Sequence, residues 1–281
     1  MLATQVTPEI KTDSDLATTT KIVLIVEYDG TRYHGFQLQG GLPTIQRELE
    51  TAIRELTGEK IRLITASRTD AGVHAKGQVV SFRTESAHSL ETFVQGLNYY
   101  LPKDIAVKAA HKAEDSFNVR RQAVSREYNY VILNSSTRSP LRDRFCCLVP
   151  GRLDIEAMNR AAQALVGEHD FASFAQTGRR NEVAAKSTVR RVLRAEMRKE
   201  GDLAVFNVVA NAFLMHQVRN TVGTLLRVGR GKMSVGEFYS ILEAKQPGLA
   251  WPTAPARGLC LMQVNYKNPL SSLSLEGRGS G

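Results

Sequence analysis

The chain has 281 residues, of which 42% are hydrophobic and 23% charged, and it carries a net charge of +9. Those are globular proportions, which exclude a disordered or fibrous chain and allow one large domain or two ordinary ones. No apolar run approaches the ~20 residues of a membrane helix, and three cysteines without a C-x-x-C spacing exclude a disulfide framework and a cysteine-built zinc site.

Residues 1–20 hold six Thr, three acids and one Lys without an apolar stretch, and read as a disordered leader, neither secretory signal nor transit peptide. Ile22 to Tyr28 is an apolar, β-branched run closed by Asp29-Gly30, which predicts a strand and a turn. Thr44 can cap a helix whose apolar stripe is Ile45, Leu49, Ile53 and Leu56, with Gly58 ending it. Ile61 to Ala66 and Gln78 to Thr84 predict two further strands. Ser89 caps a second helix striped by Leu90, Phe93, Val94, Leu97 and Leu101, and Ile105 to Ala109 alternates as a strand. The order is β-α-β-β-α-β.

That order recurs after a seam at Ser116 to Ser125. Arg126 to Asn134 predicts a strand, and Asp154 caps a helix carrying Ile155, Met158, Ala162 and Leu165. Thr188 to Lys199 and Leu203 to Ala210 form a hairpin around Gly201-Asp202. Leu214, Val218, Val222, Leu225 and Leu226 stripe a long helix, Ser234 and Glu237 have capping-box spacing for another, and Leu259 to Tyr266 closes as a strand. The expected fold class is α+β: two ferredoxin-like (split β-α-β) halves, residues 21–120 and 121–268, with antiparallel sheets backed by helices and an active-site cleft between them. Residues 269–281, rich in Ser and Gly, read as a disordered tail.

The positive charge is unevenly placed. Gln176 to Lys232 holds twelve Lys or Arg against four acids, a net +8. Such a field attracts polyanions, although charge alone does not choose between RNA, DNA and an acidic membrane surface, and a solvated face stays open.

Chemistry is expected in the segment Ser67-Arg68-Thr69-Asp70-Ala71-Gly72-Val73-His74-Ala75-Lys76-Gly77, which joins two predicted strands and is too long for a hairpin turn. Asp70 has Arg68, His74 and Lys76 nearby. Thr-Asp-Ala-Gly is ordinary turn chemistry, and the functional alternative is a carboxylate held ionised by cations, able to act as a nucleophile. Arg126, Tyr128 and Tyr130 share one strand face, which suits stacking on a base as well as packing a half-buried sheet. His216, Arg219 and Asn220 fall off the apolar stripe of their helix, where a solvated face is the ordinary reading. No G-x-x-x-x-G-K loop is present.

Tyr28-Asp29-Gly30-Thr31-Arg32-Tyr33-His34-Gly35-Phe36-Gln37 resembles the opening Y-D-G-x-x-Y-x-G-W-Q of the tRNA pseudouridine synthase A (TruA) family. Arg68 to Val73, followed by His74, matches the family's R-T-D-A-G-V-H, and Arg126 to Tyr130 its R-x-Y-x-Y strand. Phe213 to Gly223 is similar to its F-x-x-x-x-V-R-N-x-V-G helix, and Gly258 to Leu261 to its closing G-L-x-L. Ser67 and Phe36 stand where the family usually has Gly and Trp.

The resemblance implies isomerisation of uridine to pseudouridine at positions 38 to 40 of the tRNA anticodon stem-loop, without cofactor or metal. It implies Asp70 as the catalytic carboxylate, with Arg68 and Arg219 keeping it charged, Tyr128 stacking on the base near C5 and Leu259 packing it from another side. Whether Asp70 attacks C1′, attacks C6 or removes a sugar proton stays open. Arg190, Arg191, His74 and Lys76 are the expected RNA contacts. A cytoplasmic homodimer is implied, with tRNA as partner and no membrane. The competing reading is a non-catalytic RNA-binding or tRNA-folding protein on the same scaffold.

Overall fold

The computed structural model describes residues 19–176 and 187–268. The leader, apart from Thr19 and Thr20, and the tail therefore lie outside the described residues, as do Arg179, Arg180 and Lys186 of the basic window.

The first half is built as its periodicity requires. Strand β1 (Thr20–Tyr28) lies between β3 (His74–Thr84) and β4 (Ile105–Ala113), antiparallel to both. Helix α1 (Ile45–Thr57) starts where the Thr44 hydroxyl accepts from Arg47 N–H, and it buries Ile45, Leu49, Ala52 and Ile53. Each such Ile or Leu contributes about 1.5–3 kcal/mol by leaving water. Helix α2 (Leu90–Tyr100) begins at the Ser89 cap and buries Phe93 and Leu97. The stretch expected as a strand from Ile61 to Ala66 pairs only over β2 (Ile64–Thr65), against β3.

In the second half β5 (Ala123–Leu133) pairs with β9 (Leu203–Ala210), which pairs with β8 (Val189–Glu200), which carries the short edge strand β7 (Gly167–Asp170). A two-residue strand, β6 (Cys147–Leu148), lies parallel to β5. Helix α3 (Ile155–Gln163) starts at Asp154, whose carboxylate accepts from Ala157 N–H at 2.8 Å. Helices α4 (Gln217–Gly229) and α5 (Val235–Ala244) follow, the latter with the expected Ser234–Glu237 capping box. Helix α4 is buried on nearly every side, Asn220, Thr221 and Thr224 included. Of the polar residues off the apolar stripe, Asn220 is buried, while His216 and Arg219 are partly exposed.

Strand β10 (Leu259–Tyr266) unites the halves. It runs antiparallel to β5 and, over Cys260 and Leu261, parallel to His74 and Ala75 of β3. One ten-stranded sheet results, in the order β4-β1-β3-β10-β5-β9-β8-β7 with β2 and β6 beside it. Residues near the β3–β10–β5 junction come from both halves of the sequence, and the site forms there. No helix among the described residues is long and apolar enough to cross a membrane.

Candidate active site

The segment after β2 is held by the chain's opening motif. Phe36 N–H donates to Thr69 O at 3.1 Å, and Gly72 N–H donates to Tyr33 O at 3.1 Å. Tyr28 and Thr69 share a hydroxyl–hydroxyl hydrogen bond of 2.7 Å. Gly35 sits at φ +86°, and a Cβ there would lie 2.7 Å from Thr69 O, so the close approach requires glycine. Val73 N–H donates to Asp70 O at 3.1 Å, closing the turn that presents Asp70.

The Asp70 side chain is 28% exposed and faces the start of α4. Its Oδ2 lies 3.5 Å from His216 Nε2 and 3.6 Å from Arg219 Nη1. Both distances are too long for well-formed hydrogen bonds, so they leave the carboxylate lone pairs open to a substrate. Arg219 is fixed independently: its Nε donates to Ala254 O at 2.8 Å, while Ala254 N–H donates to Arg219 O at 3.1 Å. Gly223 lets that segment lie against the helix, since a Cβ on it would be 1.6 Å from Pro252 O.

His216 precedes α4 at φ 60°, ψ 0°, in the left-handed region. A non-glycine residue there costs on the order of 1–3 kcal/mol, and such strain concentrates at functional sites. Burial lowers the proton affinity of its ring, Asp70 opposes that effect, and Arg219 adds to it. The neutral imidazole is thereby favoured near neutral pH.

Tyr128 lies on β5, 6% exposed, with Phe213 edge-on at 5.2 Å between centroids. Its hydroxyl is 3.0 Å from Ser67 Oγ, and burial pushes its pKa up to about 12. Leu259, 5% exposed, heads β10 and lines the same space. Asp70, Tyr128, Leu259 and Arg219 thus border one cleft of about 500 Å³. Among the described residues it is lined by five arginines (Arg68, Arg120, Arg126, Arg190, Arg219) and one carboxylate, that of Asp70. A field of that sign suits a polyanion that must bring one neutral ring to a carboxylate. Among the described residues no group of three or more His, Cys, Asp or Glu is placed to hold a metal ion.

The other expected site residues lie in differing surroundings. Arg68 lines the cleft with an exposed side chain, but the side chains that stand beside the Asp70 carboxylate are His216 and Arg219, because the turn at Asp70 faces α4. His74, expected on RNA, is 4% exposed, because β3 begins at His74 and not at Gln78. Its Nδ1 accepts from Gly30 N–H at 3.1 Å and lies 3.2 Å from Asp29 Oδ1, so the side chain fastens the opening motif to β3. Lys76 is exposed on the same strand but outside the cleft lining.

Arg190 borders the cleft, whereas its neighbour Arg191 is exposed and not among the lining residues, as strand alternation demands. Farther along β8, Arg194 is spent on Glu127 at 3.0 Å and Asn207 at 2.8 Å. Among the described residues, the basic window therefore does not form one surface. Nor do the three side chains of the Arg126–Tyr130 strand face act together. Tyr130 is fully buried and donates to Pro255 O at 2.8 Å, and Arg126 donates to the carbonyls of Ala66, Arg120, Ala123 and Asn211.

The sequence reading missed His216 as a partner of Asp70, and Arg120 as part of the cleft. The one local signal for His216 was a histidine three residues before Arg219, which helical spacing alone assigns to solvent.

A family model described as tRNA pseudouridine synthase matches residues 24–120 and 161–267. The chain is similar to proteins named tRNA pseudouridine synthase A. It is 42% identical to that of Legionella pneumophila (strain Corby) over 246 residues, covering 88% of this chain and 92% of the other. Identity is 45% over 245 residues for the Roseiflexus castenholzii protein (87% and 90% covered) and 43% over 246 residues for that of Geotalea uraniireducens (88% and 99%).

Proposed function

Since the chain belongs to the family of tRNA pseudouridine synthases, we propose that it isomerises uridine to pseudouridine in tRNA with Asp70 as the catalytic carboxylate. The observation that carries the assignment is the setting of Asp70, open to the cleft and within 3.6 Å of Arg219, as the one carboxylate beside five arginines among the described lining residues. The base must be detached from C1′, turned, and rejoined through C5, with no net redox change. A carboxylate standing 3.6 Å from Arg219 supplies the group that starts this sequence. Tyr128 stacks on the uracil with its hydroxyl near C5, whose proton must leave, and Leu259 closes the other side.

The target is proposed to be in the anticodon stem-loop, at positions 38 to 40, on the strength of the motif resemblance. To enter a cleft of this kind the uridine has to leave its stack, at a cost of a few kcal/mol, which phosphate contacts to the arginines offset. We further propose a homodimer acting in the cytoplasm. It should sediment at about twice 31.1 kDa, and a monomer fully active at nanomolar concentration would contradict it.

The deciding measurement is tritium release from C5-labelled uridine in unmodified tRNA. Release with stoichiometric pseudouridine supports the enzyme. Tight binding of tRNA with no release would mean that the scaffold serves as an RNA-binding protein instead.

A further inference from the structure

Ser67 is the residue before Arg68, at the point where the chain leaves β2 for the Asp70 turn. Its carbonyl is held twice: Gln78 Nε2 donates to it at 2.8 Å and Thr65 Oγ1 at 2.9 Å. One residue earlier, Arg126 Nη2 donates to Ala66 O at 3.0 Å. The backbone of this corner is therefore anchored without help from the Ser67 side chain, which is left free to do something else. Its Oγ points at the Tyr128 hydroxyl, 3.0 Å away.

That contact has two consequences. Tyr128 is 6% exposed, and a phenol hydroxyl so buried is destabilising if it has no partner. Ser67 also opposes the effect of burial on Tyr128, since a hydroxyl near the phenol oxygen favours negative charge there. The ring itself is placed by other contacts, chiefly Phe213 edge-on at 5.2 Å. Ring position and hydroxyl orientation are thus set by different residues.

We propose that Ser67 is a positioning residue for Tyr128: its hydroxyl fixes the direction of the phenol O–H, and so how the phenol oxygen faces the uracil edge. Ser67 lies on the same short segment as Asp70, so the carboxylate and the phenol orienter move together. Any displacement of the loop by bound tRNA reaches both groups at once. This rests on the assignment of Tyr128 to the reacting base. Ser67 is not itself expected to touch the base.

The test is a double-mutant cycle read by single-turnover pseudouridine formation at saturating enzyme, with tRNA affinity measured alongside. Ser67→Ala should slow the wild-type enzyme about two- to tenfold, the range of one hydrogen bond, with tRNA affinity unchanged. In a Tyr128→Phe background, which has no phenol oxygen to orient, the same substitution should change the residual rate by no more than about twofold. Ser67→Gly, which removes the same hydroxyl, should reproduce both results. An equal loss in the two backgrounds would overturn the proposal, because Ser67 would then be acting through the loop backbone. So would a wild-type rate in Ser67→Ala. If Tyr128→Phe alone keeps the full rate, the assignment of Tyr128 fails first and takes this role for Ser67 with it.

Discussion

Arg219 Nη1 stands 3.6 Å from Asp70 Oδ2, although the two residues belong to elements in different halves of the chain. One is carried on the turn before β3 and the other on the first turn of α4, and both elements are seated by backbone contacts that do not involve the carboxylate. The pair is therefore preorganised.

Asp70→Asn should abolish pseudouridine formation while leaving thermal stability and tRNA affinity near wild type. The amide has the shape of the carboxylate but is neither a nucleophile nor a base at neutral pH. A variant that keeps even one-tenth of the wild-type rate would rule out the assigned role.

Gly223→Ala should disturb the site from a distance. A methyl group placed 1.6 Å from Pro252 O forces α4 away from the segment that fixes Arg219. Overpacking of this kind costs about 1–3 kcal/mol, which in a chain of this size lowers Tm by about 2–4 °C per kcal/mol. The rate should fall with it. Unchanged melting and unchanged turnover together would show that the helix does not have to lie where the structure puts it.

Arg190 and Arg191 should separate in a salt titration. Arg190 borders the cleft and Arg191 does not. Arg190→Gln should flatten the log–log salt dependence of tRNA affinity by about 0.7–0.9, the increment for one phosphate contact. It should weaken all tRNAs alike, because such contacts position RNA without reading bases. Arg191→Gln should leave the slope closer to wild type. Equal effects from the two would mean that RNA also tracks the opposite face of β8.

Stability should decline on mild acidification. Burial lowers the pKa of His74 against the pull of Asp29, and burial also lowers those of His111 and His216. The unfolded chain, with histidines near 6.5, then binds more protons than the folded one. Stability is therefore complete above about pH 6.5 and falls as pH drops from there toward the lowered folded values. His74→Gln should give a shallower fall in Tm between pH 6.5 and 5. An identical profile would show that His74 keeps its solution-like titration in the fold.

Much of this architecture could be read from spacing. Thr44, Ser89, Asp154 and Ser234 all cap the helices they were expected to cap, because an N-cap is a local device in which a side-chain oxygen meets a backbone N–H two or three residues on. The two-residue period likewise gave the hairpin of β8 and β9 nearly in register with the expected ends. Strand starts were less legible. His74 to Gly77 read as loop because nothing local shows that β10 will arrive alongside to pair with His74 and Ala75.

The sequence by itself singled out Asp70, Tyr128, Leu259 and Arg219, which the fold brings to one cleft, since their motifs are short and contiguous. It also determined that the chain is basic enough to hold a polyanion. Only the tertiary structure decided which cation stands beside the carboxylate, which arginines border the cleft, and that His74 is fastened inside. The physical reason is that ion pairing depends on distance through space. Arg68 is two residues from Asp70 yet forms no ion pair with it, while His216 and Arg219 come within 3.5 and 3.6 Å because β10 joins the two half-sheets and so brings distant parts of the sequence together.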